Sequence, residues 1–282
     1  MFDEDGLEVN EAWVNGVRIA YDLIGEGEPV VLLGGTGMPI FWWDAGNVRS
    51  ALVSAGYQVL AFAARGVAPS EAPAPPYNVD DLAADAGALC EHLGLRDCRF
   101  VGVSLGGFTV EVLARARPDL VRAGVFIGSA GPTTEFTRML TRAQRDLFAA
   151  VGTLPDSSLL VETLRTAVPS HVLQDDAPQV TEWIELLALP TWRHRDGLHG
   201  QLAAVWDWFD EDQRMALLAR IAAPCLVIAF EHDLYFPPRG GRQATDVLPN
   251  GEFLEIFQAG HAGIITHADM CTKAMLDFFG RF

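Results

Sequence analysis

Short apolar runs alternate with amphipathic stretches along most of the chain. Runs that are nearly all apolar are typical of strands buried on both faces of a parallel sheet. Apolar residues at three- and four-residue spacing indicate helices instead. The runs predict strands at 30–33, 58–63, 100–103, 123–127 and 225–229, with a last strand at 252–257. The amphipathic stretches predict helices at 44–55, 79–93, 105–116 and 268–279.

The first residues follow a different pattern, in which apolar and polar positions alternate. Two such segments, 7–14 and 17–23, are separated by Asn15 and Gly16. An Asn-Gly pair at this place is a strong hairpin signal, because both residues adopt a positive φ readily. With the alternation of strands and helices further along, the sequence predicts an α/β fold: a mostly parallel, doubly wound sheet that begins with antiparallel strands.

The alternation stops between about residues 132 and 220, where the pattern is purely helical. Helices are predicted there at 134–151, 157–167, 178–187, 196–208 and 213–221. We interpret this segment as a helical lid inserted into the sheet domain. The predicted domains are therefore a core formed by 1–131 and 221–282, and a lid formed by 132–220.

Composition narrows the classes of partner. The chain has 282 residues, of which 50% are hydrophobic, so it can bury a sizeable core. A formal net charge of -17 repels phosphate backbones and anionic lipids, so we expect no nucleic-acid partner and no membrane partner, and a small-molecule substrate fits better. No stretch approaches about 20 uncharged apolar residues, and the first residues lack a basic signal region, so a cytoplasmic protein is expected. An apolar face on the lid could pair with the same face of a second copy, so the sequence is compatible with a homodimer.

The sequence Gly102-Val103-Ser104-Leu105-Gly106 lies between a predicted strand and a predicted helix. A Gly-x-Ser-x-Gly sequence in this context predicts a nucleophile elbow, a tight turn that exposes the serine hydroxyl. Ser104 is therefore the candidate nucleophile, and the N–H of Leu105, at a helix N-terminus, is a candidate oxyanion donor. The competing interpretation of Ser104 as a helix cap is weaker, because a cap does not need a glycine on each side.

A serine nucleophile needs a general base and a carboxylate that orients it, both on loops after later strands. Asp233 follows the strand at 225–229, and His261 follows the strand at 252–257. The resulting chain order is Ser, Asp, His. Glu231 competes with Asp233 for the orienting role. His232 and His267 compete with His261 for the role of base, and we expect both to be structural.

The strand at 30–33 ends in the glycine-rich segment Gly34-Gly35-Thr36-Gly37. Thr36 N–H is the candidate for the second oxyanion donor. A plain strand-ending turn is an alternative interpretation of these glycines. A phosphate-binding loop fits less well, because neither Gly-x-Gly-x-x-Gly nor Gly-Lys-Ser/Thr follows the strand.

Together these residues resemble the α/β-hydrolase superfamily along nearly the whole chain. The segment Arg65-Gly66-Val67-Ala68-Pro69-Ser70 is similar to the Arg-Gly-x-Gly-x-Ser segment of that superfamily. The lid and loops resemble esterases, lactonases and haloperoxidase-like hydrolases, including those of actinobacterial natural-product pathways. The chain departs from the family in two places. Gly34-Gly35 replaces a His-Gly pair, and Ala63 and Ala68 replace the usual aspartate and second glycine.

The substrate pocket and any metal site are less well marked. Met38, Phe41 and Trp206 are candidate pocket residues, although aromatic residues of the lid, among them Trp192, serve more often in packing. His194 and His199 are five residues apart, which does not match the four-residue spacing of helix-borne metal ligands. We therefore expect no metal and no cofactor.

The hypothesis that follows is a serine hydrolase of a carboxylic ester, lactone or thioester of an apolar small molecule. The same site could instead carry carbon-carbon bond hydrolysis, perhydrolysis or cyclisation in a biosynthetic pathway, and fold analogy does not separate these. A small-molecule binder that keeps only the hydrolase shell is a third hypothesis. A complete Ser, Asp and His set argues against it.

Overall fold

A computed structural model describes residues 9–174, 178–188 and 194–282 of the chain. Its centre is an eight-stranded sheet with the strand order β1-β2-β4-β3-β5-β6-β7-β8. The strands are β1 Asn10–Val14, β2 Val17–Ile24, β3 Glu28–Leu33, β4 Tyr57–Phe62, β5 Cys98–Val103, β6 Val121–Ile127, β7 Cys225–Phe230 and β8 Gly251–Ile256. Each strand predicted from the apolar runs is present, with ends that differ by a few residues.

The first strands are antiparallel and the rest are parallel. β1 pairs with β2 through the hairpin at Asn15 (φ 49°) and Gly16 (φ 74°), and β2 pairs antiparallel with β4. From β4 across to β8 all neighbours are parallel. The predicted fold class, a mostly parallel sheet with antiparallel strands at the start, is confirmed.

Helices cover both faces of this sheet. They are α1 Trp42–Ala45, α2 Val48–Ser54, α3 Val79–His92, α4 Leu105–Ala116, α5 Glu135–Val151, α6 Asp156–Ala167, α7 Ser170–Gln174, α8 Pro178–Leu187, α9 Arg195–Asp210, α10 Arg214–Leu218, α11 Pro238–Val247, α12 Gly263–Thr266 and α13 Ala268–Phe279. One large apolar cluster packs α3, α4 and α11 on one face, and a second packs α2 and α13 on the other. Strands buried on both faces explain the nearly all-apolar runs.

The single helix predicted at 44–55 is wrong, because the chain forms α1 and α2 with a break between them. A Cβ atom at Gly46 would collide with the Cβ of Ala268, so α13 packs where only a glycine fits. Asn47 then takes a left-handed conformation, with φ at 55°, before α2 begins. This tertiary contact overrides a helical pattern that continues through both segments.

The helices α5 to α10 are inserted between β6 and β7, and we call them the lid. Their own apolar cluster consists of Leu154, Leu198, Leu202 and Trp206, with Phe148 packed against it. The aromatic rings of Phe148 and Trp206 meet edge to face, with centroids 5.9 Å apart. The boundaries of the lid at 132 and 220 stay a prediction, since helix positions alone do not define a domain limit.

The strand order places a crevice above the middle of the sheet. β3 lies between β4 and β5, so the chain adds β4 on one side of β3 and then β5 on the other. Open α/β sheets bind ligands at the point where the strand order reverses in this way. Leu33 at the end of β3 pairs with Gly102 near the end of β5. The loops that follow β3, β5, β7 and β8 therefore share one edge of the sheet. Within the described residues, no helix is both long and apolar enough to cross a membrane.

Candidate active site

Ser104 occupies a strained turn between β5 and α4. Its backbone has φ 50° and ψ -117°, a combination that costs free energy and persists only where the surroundings enforce it. A Cβ atom at Gly102 would collide with the carbonyl oxygen of Gly106, and one at Gly106 would collide with that of Leu33. The two glycines are therefore required by close backbone approach, and the turn between them directs the Ser104 side chain into the crevice.

His261 bridges Ser104 and Asp233. Its Nε2 lies 3.1 Å from the Ser104 Oγ, and its Nδ1 lies 2.8 Å from the Asp233 Oδ2. The other carboxylate oxygen of Asp233 accepts hydrogen bonds from the backbone N–H groups of Tyr235, at 2.8 Å, and Phe236, at 3.0 Å. Because a carboxylate only accepts, we assign the proton of neutral His261 to Nδ1, which leaves Nε2 to accept from the serine hydroxyl.

The competing residues lie elsewhere. Glu231 accepts a hydrogen bond from the backbone N–H of Gln258 at 2.8 Å, which directs it towards the end of β8. His232 lies beside Glu231, with 3.6 Å between its Nε2 and the Glu231 Oε2. His267 pairs with the hydroxyl of Thr266 at 2.8 Å. The structure thus brings together Ser104, Asp233 and His261, and places these three alternatives outside that contact.

The two predicted oxyanion donors belong to segments that border Ser104, namely the loop after β3 and the start of α4. Gly35, Thr36 and Gly37 line the same cavity as Ser104, and a Cβ at Gly35 would lie 3.4 Å from the Ser104 Cβ. Among the described residues, no acceptor contacts the Thr36 N–H. The Leu105 N–H belongs to the first turn of α4, where helical N–H groups have no acceptor inside the helix. Both N–H groups are therefore free to donate a hydrogen bond to a bound ligand.

Gln201 of α9 holds the loop that contains Thr36. Its side chain is fully buried; its Oε1 accepts from the Gly37 N–H at 2.9 Å, and its Nε2 donates to the Arg65 carbonyl at 2.9 Å. This lid residue joins the two loops that depart from the family pattern. The sequence analysis missed it, although a glutamine between Leu198, Leu202 and Val205 at core-facing spacing is a signal of a buried polar contact.

The Arg65 segment is also held from the core. Arg65 donates to both carboxylate oxygens of Asp85 on α3, each at 2.7 Å. Burial raises the pKa of the Asp85 carboxyl, and the hydrogen bond from Arg65 opposes that shift. The Ser70 hydroxyl accepts from the Ala20 N–H at 2.8 Å and donates to the Ala63 carbonyl at 2.6 Å. These contacts support the loop although Ala63 and Ala68 replace the aspartate and the second glycine that are usual in this segment.

A cavity of about 770 Å³ lies between the lid and the edge of the sheet, with Ser104 and His261 in its wall. Most of the wall is apolar, and the lid contributes five leucines to it, namely Leu159, Leu160, Leu187, Leu198 and Leu202. This size and chemistry suit a small, mostly apolar ligand.

The three predicted pocket residues lie in different places. Met38 lines the cavity, whereas the described wall contains neither Phe41 nor Trp206. Trp206 lies behind Gln144 and donates its indole N–H to the Gln144 Oε1 at 2.7 Å. Trp42 takes the wall position next to Phe41, and Trp192 is outside the described residues. A helix or turn exposes only one side to the cavity, so of two neighbouring aromatic residues one can line the wall while the other points away from it.

The described part of the chain contains no group of three or more histidine, cysteine or acidic side chains that could hold a metal ion. His194 lies 3.7 Å from Asp196, and the His199 ring packs against Phe148 with centroids 4.6 Å apart. All four cysteines are buried thiols. The polar side chains in the cavity wall carry hydroxyl, imidazole, carboxyl, amide and guanidinium groups.

Comparison with known proteins identifies the class. A family profile described as the alpha/beta hydrolase fold matches residues 28–268. The chain therefore belongs to the α/β-hydrolase family. The profile extends from β3 to the start of α13, so it includes every strand end that borders the cavity.

Individual relatives cover almost the whole chain. A Mycobacterium tuberculosis protein, provisionally named the non-heme bromoperoxidase BpoC, is 33% identical over 263 residues, which is 93% of this chain and 98% of that protein. A crystal structure of BpoC superimposes with a TM-score of 0.84 at 30% identity, covering 98% of this chain and 97% of that one. The enol-lactonase of Burkholderia xenovorans LB400 superimposes with a TM-score of 0.82 at 25% identity, covering 96% and 100%.

Proposed function

We propose that this α/β hydrolase cleaves a carboxylic ester, lactone or thioester of a mostly apolar small molecule through an acyl-enzyme on Ser104. The observation that carries the proposal is the position of His261, within hydrogen-bond distance of both Ser104 Oγ and Asp233 Oδ2. A hydroxyl, an imidazole and a buried carboxylate in this arrangement are the parts that nucleophilic acyl transfer needs.

The first half of the reaction forms the acyl-enzyme. His261 Nε2 takes the hydroxyl proton as Ser104 Oγ attacks the carbonyl carbon of the substrate. Asp233 stabilises the imidazolium that results and keeps its ring in place. The N–H groups of Thr36 and Leu105 donate to the carbonyl oxygen as it becomes negative. The proton then passes from His261 to the leaving alcohol or thiol, and the acyl group stays on Ser104.

The second half releases the acid. Water enters the site, gives a proton to His261 Nε2 and attacks the acyl carbon, and Ser104 leaves with that proton returned. The apolar wall of the cavity favours a substrate whose body is apolar. The enol-lactonase among the structural relatives and a Pseudomonas savastanoi protein provisionally named the carbamate hydrolase RutD, 27% identical over 230 residues, support hydrolysis of an activated carbonyl.

A fluorophosphonate probe tests the nucleophile directly. We expect the wild-type protein to form one adduct, on Ser104, and to hydrolyse short p-nitrophenyl esters. The Ser104→Ala variant should keep its fold and lose both the adduct and about three to six powers of ten of esterase turnover. Ser50→Ala is the matched control, because Ser50 is exposed on α2 and is not among the residues that line the cavity. Labelling or turnover that survives in Ser104→Ala would contradict the covalent mechanism, and a folded wild type without adduct would favour a binder.

Perhydrolysis is the second candidate, and the 33% identity to a protein named a non-heme bromoperoxidase favours it. Hydrogen peroxide would replace water as the acceptor of the acyl group, so that Ser104 is released and a peracid forms. Adding hydrogen peroxide with an ester and measuring peracid tests this. Peracid formation that requires Ser104 supports the second candidate, and release of the carboxylic acid alone contradicts it.

A further inference from the structure

One side of the cavity wall is polar, and it centres on Glu162 of α6. The Glu162 Oε1 accepts a hydrogen bond from the Gln144 side-chain amide and another from the Tyr235 hydroxyl, the latter at 3.2 Å. All three residues line the same cavity as Ser104. They come from α5, α6 and the loop after β7, so this cluster joins the lid to the core.

The direction of the hydrogen bonds in this cluster is fixed from outside. The indole N–H of Trp206 can only donate, so the Gln144 oxygen accepts it and the Gln144 NH2 group faces Glu162. Both neighbours therefore act as donors to the same Glu162 oxygen. The second oxygen of the carboxyl has no hydrogen-bond partner among the described residues, and Glu162 lines the cavity.

Within the described residues, no ion pair involves the Glu162 carboxyl, whereas Glu135, Asp156 and Asp210 on the lid surface each pair with an arginine. Burial raises the pKa of Glu162, and the hydrogen bonds from Gln144 and Tyr235 and the charge of Arg165 oppose that shift. A partly buried carboxyl whose two hydrogen-bond donors are both neutral gains from one more donor, and a molecule in the cavity can supply it.

This cluster lies close to the reacting groups. The Tyr235 ring packs on the His261 ring with centroids 5.0 Å apart, and the hydroxyl at the far end of the same ring contacts Glu162. One tyrosine side chain therefore separates Glu162 from the imidazole. A substrate held at Ser104 reaches Glu162 with any part of its body that extends along Tyr235.

We infer that Glu162, held by Gln144 and Tyr235, is a substrate-binding residue that accepts a hydrogen bond from a hydroxyl or ammonium group on an otherwise apolar ester or lactone. This inference rests on the proposed function and specifies its substrate class. The same carboxyl disfavours substrates that carry a carboxylate at this position, because two like charges would lie together in an apolar wall.

Matched ester series test the inference. Each series contains esters of equal chain length that end in a methyl, a hydroxyl or an ammonium group, carried first by the acyl part and then by the alcohol part. We expect wild-type kcat/KM to be about 10- to 100-fold higher for the hydroxyl or ammonium ester than for the methyl ester in one of the two series, as for a hydrogen bond to a charged group. Without the subsite, the apolar cavity would favour the methyl ester.

Three variants test whether the preference for a donor group comes from the Glu162 carboxylate. Glu162→Leu should abolish the preference for both donor groups and leave the methyl ester unchanged or faster. Glu162→Gln should lose the preference for ammonium, because its oxygen accepts from Gln144 and Tyr235 and its NH2 group then faces the cavity. It should keep part of the preference for hydroxyl, because a hydroxyl can accept from that NH2 group. This variant decides the matter if the leucine variant does not fold. Glu135→Gln removes one carboxylate from the exposed surface of α5 and should behave as the wild type.

The outcomes that overturn the inference are defined by the same ratios. A wild type that favours the methyl ester in both series, or an ammonium preference that persists in Glu162→Leu or in Glu162→Gln, would exclude the subsite. Fluorophosphonate labelling of Ser104 is measured in parallel. Normal labelling without any donor preference overturns the subsite alone, whereas absent labelling in the folded wild type overturns the proposed function.

Discussion

The edge of the sheet and the lid above it hold their side chains in different ways. At the edge, backbone contacts set each position: Ser104 is held between two glycines that tolerate no Cβ, and Asp233 accepts from two backbone N–H groups. In the lid, helix faces present leucines and a few amides to the cavity. Backbone geometry tolerates little change, while helix faces accept many side chains. Under the proposed function, the edge would carry the reaction and the lid would carry the choice of substrate.

The two regions are nonetheless joined by polar contacts. Gln201 of α9 bonds the loops after β3 and β4, and Glu162 of α6 bonds Tyr235, which packs on His261. Buried hydrogen bonds of this kind fix one arrangement of the parts that they join, because an alternative arrangement leaves polar groups without partners. Gln201 and Glu162 belong to the lid but also contact residues at the edge of the sheet. The proposed division of roles between edge and lid therefore holds for the apolar lid residues and only in part for these two.

The largest effect that we expect at the edge comes from Asp233→Asn. The side-chain oxygen of the new asparagine would accept from Tyr235 N–H and Phe236 N–H, so its NH2 group would face His261 Nδ1. His261 would then carry its proton on Nε2 and could not accept one from Ser104. We predict a fall in kcat of about 10⁴-fold with a normal fold, measured with p-nitrophenyl esters.

The control for this variant is Glu231→Gln, which changes a nearby carboxylate that does not contact His261. Its kcat should stay within about threefold of the wild type, since it removes no contact to the reacting groups. If Glu231→Gln were the slower of the two, Glu231 would replace Asp233 in the proposed mechanism.

The second prediction concerns the backbone at the elbow. In Gly106→Ala the new Cβ meets the Leu33 carbonyl oxygen, so α4 cannot stay against β3. We expect the free energy of unfolding to fall by about 3 kcal/mol or more, read from thermal or denaturant unfolding. In Gly240→Ala on α11 the nearest atom is 3.5 Å from the new Cβ, and that control should change stability by no more than about 1 kcal/mol. Equal stability of the two variants would mean that the close packing at the elbow is not required.

The sequence alone predicted the edge of the sheet far better than the lid cavity. Ser104, Asp233 and His261 each follow a strand, and the ends of parallel strands meet at one edge, so chain order and strand position sufficed to group them. The antiparallel start was predictable because Asn15 and Gly16 specify their turn locally.

The contacts between lid and core were not predictable, because they depend on how a helix docks. Gln201 lies 164 residues from Gly37, and Glu162 lies 73 residues from Tyr235, and no motif links either pair. The choice between Trp42 and Phe41 as a wall residue likewise depends on a rotation that composition does not fix. The break at Gly46 has the same origin, since it follows from the position of Ala268 on a distant helix.

The third prediction tests the contact between the two regions. Gln201→Met keeps the length of the side chain and removes both hydrogen bonds, so Gly37 N–H and the Arg65 carbonyl lose their buried partners. Because Thr36 precedes Gly37, we expect the oxyanion donor to lose its fixed position. A positioning role predicts that kcat falls about 10- to 100-fold while KM changes by less than about threefold.

A purely structural role for Gln201 gives a different result. It would lower thermal stability and leave kcat of the remaining folded enzyme unchanged. Gln213→Met is the matched control, since Gln213 is exposed at the start of α10 and contacts neither loop. If kcat of Gln201→Met equals that of the control, the lid does not position the loop.

The smallest effect that we expect lies in the apolar wall of the lid. Leu160 lines the cavity, whereas its neighbour Val161 on α6 is exposed. Leu160→Ala removes apolar contacts that only a substrate with a long apolar body reaches, so kcat/KM for such an ester should fall about three- to tenfold and that for an acetate ester should not change. Val161→Ala should change neither. A fall for both esters in Leu160→Ala would show that the lid acts on the reacting groups, because a loss independent of substrate length cannot come from a contact made only by the substrate's distal part.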